Sequence, residues 1–263
     1  MKLSLIITTY NTPLALGKVT DSVMDQIRQP DEVLIADDGS GDDTAVVVQG
    51  FSERAPVPVF HVWQENRGFR AAKIRNEAIK RSSGDYLVLL DGDCVVNRHF
   101  LSDHLALAEK GCFIQGKRVH VHRKMVAAFG HGHANSASEL MKMALLFHIS
   151  NIHHLIRLPL FRSVRNTKLK GIKSCNMSFF RDDIMAVNGF NEDFVGWGNE
   201  DSELACRFFK YGLKKKVHPF MAICFHLWHP TNKTTLNGNK DLLQATIESK
   251  GYFCRNGLFK NRQ

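Results

Sequence analysis

Short apolar runs alternate with segments of helical periodicity over the first ninety or so residues of the chain. The apolar runs predict strands over residues 3–8, 32–36, 57–62 and 86–90. Helices are predicted to begin at Thr12-Pro13, near Asp42 and at Arg70, and the first is expected to turn Leu16, Val19, Val23 and Ile27 inward, the second Val46 to Val48. This alternation indicates an α/β fold with a mostly parallel, Rossmann-like sheet flanked by helices.

The pattern changes between Glu139 and Arg165, where many apolar residues are interleaved with histidines and followed by Lys168, Lys170 and Lys173. One interpretation is a helical hairpin that covers one face of the sheet. Another is an interfacial amphipathic element that contacts anionic lipid headgroups. The segment is too interrupted by polar groups to span a bilayer, and the two interpretations remain open together.

The remaining apolar patterns continue the same fold. They predict a strand over residues 175–180, a short helix over 181–187, an amphipathic helix from Glu200 to Tyr211 closed by Gly212, and a final strand over 217–225. The polar tail from Thr231 onward shows no clear motif. We expect a single domain over residues 1–263, with a helical, basic insertion at 118–173.

Composition is typical of a globular protein, with 44% hydrophobic and 23% charged residues. The net charge of +9 and the thirteen histidines indicate an anionic partner, whether nucleic acid, acidic lipid or a phosphorylated substrate. Six scattered cysteines without any Cys-x-x-Cys spacing argue against a zinc ribbon or a disulfide framework. The apolar run at residues 3–7 is too short for a secretion signal. A cytoplasmic location is therefore expected.

Acidic turns follow two of the predicted strands. Asp37-Asp38-Gly39-Ser40 follows the second strand and Asp91-Gly92-Asp93 the fourth, while Thr8-Thr9-Tyr10 ends the first. Ligands of open α/β sheets bind outside the carboxyl ends of the strands, so these groups are expected at one edge. Each tripeptide alone could be an ordinary turn. The carboxylates of Asp91 and Asp93 suit a divalent cation shared with substrate phosphates, and random turns would less often produce the three motifs together.

These motifs, taken in order, resemble glycosyltransferase family 2. The resemblance is carried by Leu5-Ile6-Ile7-Thr8-Thr9-Tyr10-Asn11, Val33 to Ser40, Asn66-Arg67-Gly68 with Arg75-Asn76, and Leu89 to Asp93. It implies a GT-A fold. By the same resemblance, Thr8, Tyr10 and Asp38 would hold the nucleobase and ribose, Arg75 and Asp91 would lie at the nucleotide, and Asp91 and Asp93 would hold Mn²⁺ or Mg²⁺.

The segment Gly196-Trp197-Gly198-Asn199-Glu200-Asp201 resembles the galactosyltransferase-like C-terminal region of β1,4-galactosyltransferases and chondroitin-polymerase-type enzymes. Trp197 offers a flat apolar face to a sugar, and the two carboxylates open a helix whose dipole favours their ionised form. The resemblance makes Asp201 the general base and Glu200, with Trp197, the acceptor-binding group. Related enzymes place a third metal ligand after the last strand, where His226 is favoured and His229 is the alternative.

The resulting hypothesis is a metal-dependent, inverting glycosyltransferase. It would move a hexose or N-acetylhexosamine from a nucleotide sugar, by resemblance a UDP-sugar, to a glycan or glycolipid hydroxyl in bacterial-type surface polysaccharide or lipopolysaccharide synthesis. Residues 1–117 would bind the nucleotide sugar, residues 174–230 would form the acceptor and catalytic half, and 231–263 would be a tail. Peripheral contact with the inner face of an anionic membrane is part of this hypothesis.

Three other functions compete with this hypothesis. A sugar-nucleotide nucleotidyltransferase would need a Gly-rich phosphate loop where the chain has Thr8-Thr9-Tyr10-Asn11. A nucleic-acid-binding protein would explain the charge, yet no zinc-finger, RNP or basic-zipper pattern is present. A noncatalytic membrane scaffold would use residues 139–173 and would not need the acidic motifs.

Overall fold

The computed structural model describes residues 1–230 and 237–260. Its strands are β1 (Leu3–Thr9), β2 (Glu32–Asp37), β3 (Val59–Trp63), β4 (Tyr86–Asp91), β5 (Cys94–Val96), β6 (Cys112–Gln115), β7 (Lys117–Val121), β8 (Ile149–Ser150), β9 (Val164–Asn166), β10 (Asn176–Phe180), β11 (Lys214–Val217) and β12 (Ile223–Leu227). Its helices are α1 (Pro13–Met24), α2 (Asp42–Arg54), α3 (Ala71–Arg81), α4 (Phe100–Leu107), α5 (His131–Ala134), α6 (Ala137–Leu145), α7 (Arg181–Ala186), α8 (Glu200–Tyr211) and α9 (Asn237–Glu248), with 3-10 turns at Arg123–Met125 and Ile152–His154.

The main sheet has eight strands in the order β3-β2-β1-β4-β10-β6-β11-β9. The half formed by β3, β2, β1 and β4 is parallel throughout, whereas β10 runs antiparallel to both β4 and β6. A smaller sheet has the order β5-β12-β7-β8. The α/β prediction is confirmed, and the parallel half is the part that the strand–helix alternation predicted.

Both faces of the parallel half are covered by helices, which explains its continuous apolar runs. Successive residues of β1 alternate between two apolar clusters, with Leu5 on one face and Ile6 on the other. Helices α1 and α2 pack on the first face, and α3 and α8 on the second.

Two of the positions that the sequence turns inward are exposed. Helix α1 ends at Met24, so Ile27 lies beyond the helix and is 63% exposed. On α2, Val48 is buried but Val46 is exposed.

The helical hairpin predicted between Glu139 and Arg165 is wrong. Only α6 is a regular helix there, and it is followed by the two-residue strand β8, a 3-10 turn and the strand β9. The backbone takes a left-handed conformation at Phe147, just after the end of α6, and β8 then pairs with His120 and Val121 of β7. A second left-handed residue, Asn151, follows β8. Strand pairing therefore overrides the helical periodicity of this segment.

The single final strand predicted over residues 217–225 is also wrong. Strand β11 ends at Val217 in the main sheet, and β12 begins at Ile223 in the smaller sheet. Pro219 and a left-handed Ala222, whose N–H donates to Asp103, lie between the two strands. The polar tail contains a helix, α9, that its sequence does not predict; residues 231–236 and 261–263 lie outside the described part.

All six cysteines are free and buried. Among the described residues, no helix is both long and apolar enough to cross a bilayer.

Candidate functional site

The carboxyl ends of β1, β2 and β4 meet at one edge of the main sheet. In the strand register, Thr8 lies opposite Asp91 and Thr9 lies opposite Asp37. The Gly92 N–H donates to the Thr8 carbonyl at 2.7 Å, and a Cβ at Gly92 would approach that oxygen to 3.1 Å. The backbone after β4 therefore lies directly against β1, and the sequence motifs of three strands are brought together as expected.

Arg75 links these strand ends to the second half of the chain. Its side chain, on α3, is 4% exposed, and its guanidinium donates to Thr8 Oγ1 at 3.2 Å, Asp91 Oδ1 at 3.2 Å and Glu200 Oε1 at 3.1 Å. Burial alone would lower the pKa of Arg75, but the charges of Asp91 and Glu200 raise it. The charged Arg75 guanidinium thus joins three other predicted site residues in one hydrogen-bonded network.

Asp91 belongs to this network through its Oδ1 atom. Burial raises the pKa of its carboxyl; the Arg75 charge opposes this rise, and the carboxylates of Asp93 and Glu200 add to it. The sequence predicts Asp91 both at the nucleotide and on the metal. In this structure its carboxylate contacts Arg75.

Asp93, His226 and His229 form a cluster of possible metal ligands. Their ligand atoms all lie within 4.8 Å of one another, and Asp93 Oδ2 is 3.5 Å from His226 Nε2 and 3.1 Å from His229 Nε2. Strand β12 pairs with β5 so that His226 lies opposite Cys94, the residue after Asp93. Local strand pairing therefore brings the two sequence motifs together.

The Asp93 carboxylate is favoured in its ionised form beside the two imidazoles. Burial would raise the pKa of Asp93, but the hydrogen bond and charge of His229, together with His226, lower it. Burial lowers the pKa of His226, which keeps its imidazole neutral, whereas the hydrogen bond to Asp93 raises that of His229. One carboxylate and two imidazoles are a donor set that first-row divalent metals such as Mn²⁺ accept. Both histidines, rather than the first alone, reach Asp93.

Tyr10 and Asp38 occupy the other side of Thr8. Asp38 is buried and accepts hydrogen bonds from the Arg70 backbone N–H and from Gln64. Burial raises the pKa of its carboxyl, although these hydrogen bonds oppose the rise. The Tyr10 ring is 42% exposed, and its hydroxyl accepts a hydrogen bond from Asn66. A flat exposed ring beside a buried carboxylate can hold a base and a ribose. Gln64 and Arg70 were not predicted at this site, because their contacts with Asp38 join residues that are 26 and 32 positions apart in the sequence.

The loop that carries Trp197 is fixed by its backbone. Gly196, Gly198 and Asn199 have positive φ, the Gly196 N–H donates to the Phe69 carbonyl, and Asn239 of α9 donates to the Gly198 carbonyl. These contacts hold the Trp197 ring 45% exposed near the start of α8. The tail thus contributes to the site, which its sequence does not indicate.

Asp201 lies in the first turn of α8 and is 8% exposed. Its Oδ1 accepts hydrogen bonds from the N–H and hydroxyl of Ser202, and Oδ2 has no hydrogen-bond partner between residues 1 and 230 or 237 and 260. Burial, with the neighbouring Glu200 charge, raises the pKa of Asp201 to about 6, although Lys173 opposes this. Such a carboxylate can take up a proton near neutral pH.

Three histidines outside the cluster, His104, His154 and His218, are buried, although the sequence interpretation places the other histidines at the surface or at an interface. His153 and His154 are expected at the surface or at an interface, yet His154 is buried and its Nδ1 pairs with the Pro219 carbonyl at 2.7 Å. This contact ties the 3-10 turn after β8 to the connection between β11 and β12. Its partner is distant in sequence, so the pattern of residues gives no sign of it.

Comparison with known families agrees with this geometry. The family model described as glycosyl transferase family 2 matches residues 4–181, and one described as the N-terminal domain of galactosyltransferase matches residues 162–230. The chain belongs to glycosyl transferase family 2. Both resemblances seen in the sequence are thereby confirmed.

Curated relatives are similar over most of the chain. Validoxylamine A glucosyltransferase from Streptomyces hygroscopicus subsp. limoneus is 28% identical over 232 residues, 82% of this chain and 49% of the relative. Hyaluronan synthase from Pasteurella multocida is 26% identical over 267 residues, 94% of this chain and 27% of the relative. The chain therefore spans about half the length of the first relative and about a quarter of the second.

Solved structures confirm a GT-A fold. S. aureus TarS 1-349 in complex with UDP-GlcNAc superposes with a TM-score of 0.65 at 16% identity, covering 94% of this chain and 65% of that one. The mannosyltransferase PcManGT from Pyrobaculum calidifontis, in complex with GDP-Man and Mn²⁺, gives 0.58 at 19% identity, covering 89% and 58%.

Proposed function

We propose that the chain is an inverting, metal-dependent glycosyltransferase. It transfers a hexose or N-acetylhexosamine from a UDP-sugar to a hydroxyl of a glycan or glycolipid acceptor. The observation that carries the proposal is the Asp201 carboxylate, buried next to Glu200, which Arg75 joins to the Asp91 strand end. A candidate base is thus held beside the edge of the sheet where nucleotides bind in this class of fold.

The donor would lie across the ends of β1, β2 and β4. Tyr10 would stack on the uracil, Asp38 would accept from the ribose hydroxyls, and Thr8 and Arg75 would lie beside the diphosphate. Asp93, His226 and His229 would hold Mn²⁺ or Mg²⁺, with Asp91 close by. The ion would supply positive charge that stabilises the nucleoside diphosphate as it leaves.

Asp201 would accept the proton of the attacking hydroxyl. A pKa of about 6 leaves its carboxylate mostly ionised at neutral pH and still basic enough to bind that proton. The acceptor oxygen bonds to the anomeric carbon as the bond to the diphosphate breaks, so one displacement inverts the configuration. Trp197 would pack on the acceptor ring and Glu200 would bind one of its hydroxyls.

A screen of nucleotide sugars tests the proposal. The chain is incubated with UDP-, GDP- and dTDP-sugars, with Mn²⁺ or with EDTA, and donor hydrolysis and thermal stabilisation are measured. The expected result is Mn²⁺-dependent stabilisation and slow hydrolysis with UDP-sugars. Formation of a sugar nucleotide from UTP and a sugar 1-phosphate would instead support a nucleotidyltransferase, and no response to any donor would support a noncatalytic protein.

Peripheral contact with an anionic membrane is supported by a second surface. We define the apolar segment as residues 145–161, in which large hydrophobic side chains are exposed: Leu145, Leu146, Phe147, Ile152, Ile156, Leu158, Leu160 and Phe161. Exposed basic residues flank it, including Lys142, Arg162 and Lys168. Apolar side chains beside positive charge suit the boundary of an anionic bilayer, where a surface-polysaccharide or lipopolysaccharide acceptor would be met.

Vesicle flotation tests this contact. The chain is floated with vesicles of neutral lipid and with vesicles that contain anionic lipid. The combined Phe147→Ser and Leu160→Ser variant should lose flotation with anionic vesicles. Val46→Ser is the matched control, because Val46 is an exposed apolar residue on α2. Equal flotation of all three proteins would exclude the apolar segment as the contact.

A further inference from the structure

A cavity of about 220 Å³ lies between β6, β7 and the start of β10. Its lining includes Lys117, Arg118 and His120 of β7, and Lys173 from the connection before β10. Pockets that enclose a whole small-molecule ligand are usually larger, roughly 300–1,000 Å³. The cavity therefore has the size for one substituent of a ligand rather than for a complete nucleotide sugar.

The cations of this cavity lack counter-ions. Lys117 and Arg118 are both partly buried, and neither they nor Lys173 has a carboxylate partner within 4.0 Å among residues 1–230 and 237–260. The hydrogen bond that Arg118 makes there is a 3.8 Å contact with Cys175 Sγ. Burial lowers the pKa of Lys117, as is typical of an ammonium group taken out of water.

Buried cations elsewhere in the described part of the fold have polar partners, and the Lys215 ammonium donates to the carbonyls of Lys168 and Lys170. Arg207 pairs with Glu203 at 2.8 Å, and Lys216 pairs with Glu109 at 2.8 Å. A buried charge without a partner is costly, so such groups are usually compensated. The unpaired positive charge of this cavity would therefore be compensated by an anion from outside the chain.

The cavity lies on the acceptor side of the site. Strands β1 and β2, which are followed directly by Tyr10 and Asp38, lie on one side of β4 in the sheet. Strands β10 and β6 lie on the other side of β4. Lys173 is close enough to Asp201 to lower its pKa. Arg118 contacts Cys175, whose carbonyl accepts a hydrogen bond from the Asp91 N–H at 3.3 Å. The cavity thus adjoins the candidate base and the end of β4, on the side of β4 that faces away from β1 and β2.

We propose that this cavity binds an anionic substituent of the acceptor, a phosphate ester or a carboxylate, through Lys117, Arg118 and Lys173. The inference rests on the proposed function, because it assigns the acceptor side of the same site. The backbone of β7 is fixed for this role, since the carbonyls of Lys117 and Arg118 accept hydrogen bonds from Asn176 and Asn151. A neutral acceptor would leave the two strand cations unpaired.

Calorimetric binding of three probes tests the inference. The probes are N-acetylglucosamine 1-phosphate, glucuronate and neutral N-acetylglucosamine, each titrated into the chain saturated with UDP and Mn²⁺, which keeps the phosphate probe from the diphosphate position. We expect at least one anionic probe to bind about tenfold or more tightly than the neutral sugar. The phosphate and carboxylate arms distinguish the two anion classes.

Charge-removing variants locate the binding. Lys117→Met with Arg118→Met should abolish the advantage of the anionic probe while UDP affinity stays unchanged, and Lys117→Arg with Arg118→Lys should retain it. Lys250→Met with Arg255→Met is the matched control, because both side chains are exposed in the C-terminal part. Each single Met variant is measured as well, in case the double variant does not fold.

The failure of this inference can be told apart from the failure of the proposed function. If UDP does not bind, the donor assignment is wrong, and the glucuronate and phosphate titrations are repeated on the unliganded chain. If UDP binds but no anionic probe exceeds the neutral sugar, the inference is overturned while the transferase proposal stands. Unchanged anion binding in the Lys117 and Arg118 Met variants would also overturn it.

Discussion

Arg75 and Glu200 are separated by 125 positions in the sequence, yet Arg75 Nη1 and Glu200 Oε1 lie 3.1 Å apart. The same guanidinium contacts Asp91 at the end of β4. The candidate donor side and the candidate base are therefore joined by one buried side chain. A substitution on the donor side is therefore expected to affect the candidate base, and a substitution near the base is expected to affect donor binding.

Replacing Asp201 by Asn tests the assignment of the base. Asn has nearly the same shape but cannot take up the acceptor proton, so kcat for transfer should fall by about 10²–10⁴-fold. UDP binding, measured by calorimetry, should stay within about twofold of the wild type, which serves as the control for folding. Near-normal turnover in Asp201→Asn would refute the assignment.

The pH dependence of transfer should report the ionisation of Asp201. Its pKa is raised to about 6, so the active carboxylate is the main form at pH 7 and the inactive acid is the main form at pH 5. We expect kcat to fall about tenfold per pH unit below this value. Glu200→Gln removes a neighbouring negative charge and should move the acidic limb to lower pH. An unchanged acidic limb in Glu200→Gln would exclude the Glu200 charge as a cause of the raised Asp201 pKa.

Replacing Arg75 by Met should lower both stability and donor binding. Removal of one partner from a buried ion pair leaves the carboxylates of Asp91 and Glu200 uncompensated, and we expect the free energy of unfolding to fall by about 3 kcal/mol. Urea unfolding and UDP titration measure the two effects. Arg67→Met is the control, because Arg67 pairs with Glu65 at an exposed position and should change stability little.

Mn²⁺ binding should depend on the cluster of Asp93, His226 and His229. Replacement of each in turn, by Asn for the aspartate and by Ala for the histidines, is expected to weaken Mn²⁺ binding in the presence of UDP by about tenfold or more. Electron paramagnetic resonance of free Mn²⁺ gives the bound fraction. His131→Ala, at an exposed position on α5, is the control. Full Mn²⁺ binding by all three variants would remove the cluster as the metal site.

Gly92→Ala should disturb the contact between β4 and β1. The added Cβ would lie 3.1 Å from the Thr8 carbonyl oxygen and 3.1 Å from the Thr9 side chain, so these neighbours have to move by a few tenths of an ångström. A loss of about 1–3 kcal/mol in unfolding free energy and weaker UDP binding are expected. Gly50→Ala on α2 meets nothing within 4 Å and should be neutral or stabilising by up to about 1 kcal/mol.

The parallel half of the fold and its strand ends could be predicted from sequence because local patterns determine them. A buried strand followed by an acidic turn places Asp38 and Asp91 at the same edge whatever the rest of the chain does. The helix from Glu200 to Tyr211 has the bounds that its amphipathic pattern and Gly212 indicate. These elements depend on residues close to one another in the chain.

The features that sequence did not predict depend on partners far along the chain. The apolar pattern after α6 suits a helix, but pairing with β7 makes β8 a strand. Strand β7 itself is short and basic, so the cavity at Lys117 and Arg118 has no sequence motif. The pairing of Arg75 with Glu200 likewise requires the folded position of α8. Such contacts follow from packing rather than from periodicity.

The six buried cysteines give the chain its own set of reporters for local opening. Alkylating reagents need an accessible thiolate, so each cysteine should react only when the surrounding structure opens. Cys94 and Cys224 lie on the paired strands β5 and β12, whereas Cys206 lies on α8 and Cys254 near the C-terminal end. Mass spectrometry of labelled peptides would therefore compare the mobility of the small sheet, the helix and the tail within one unmodified protein.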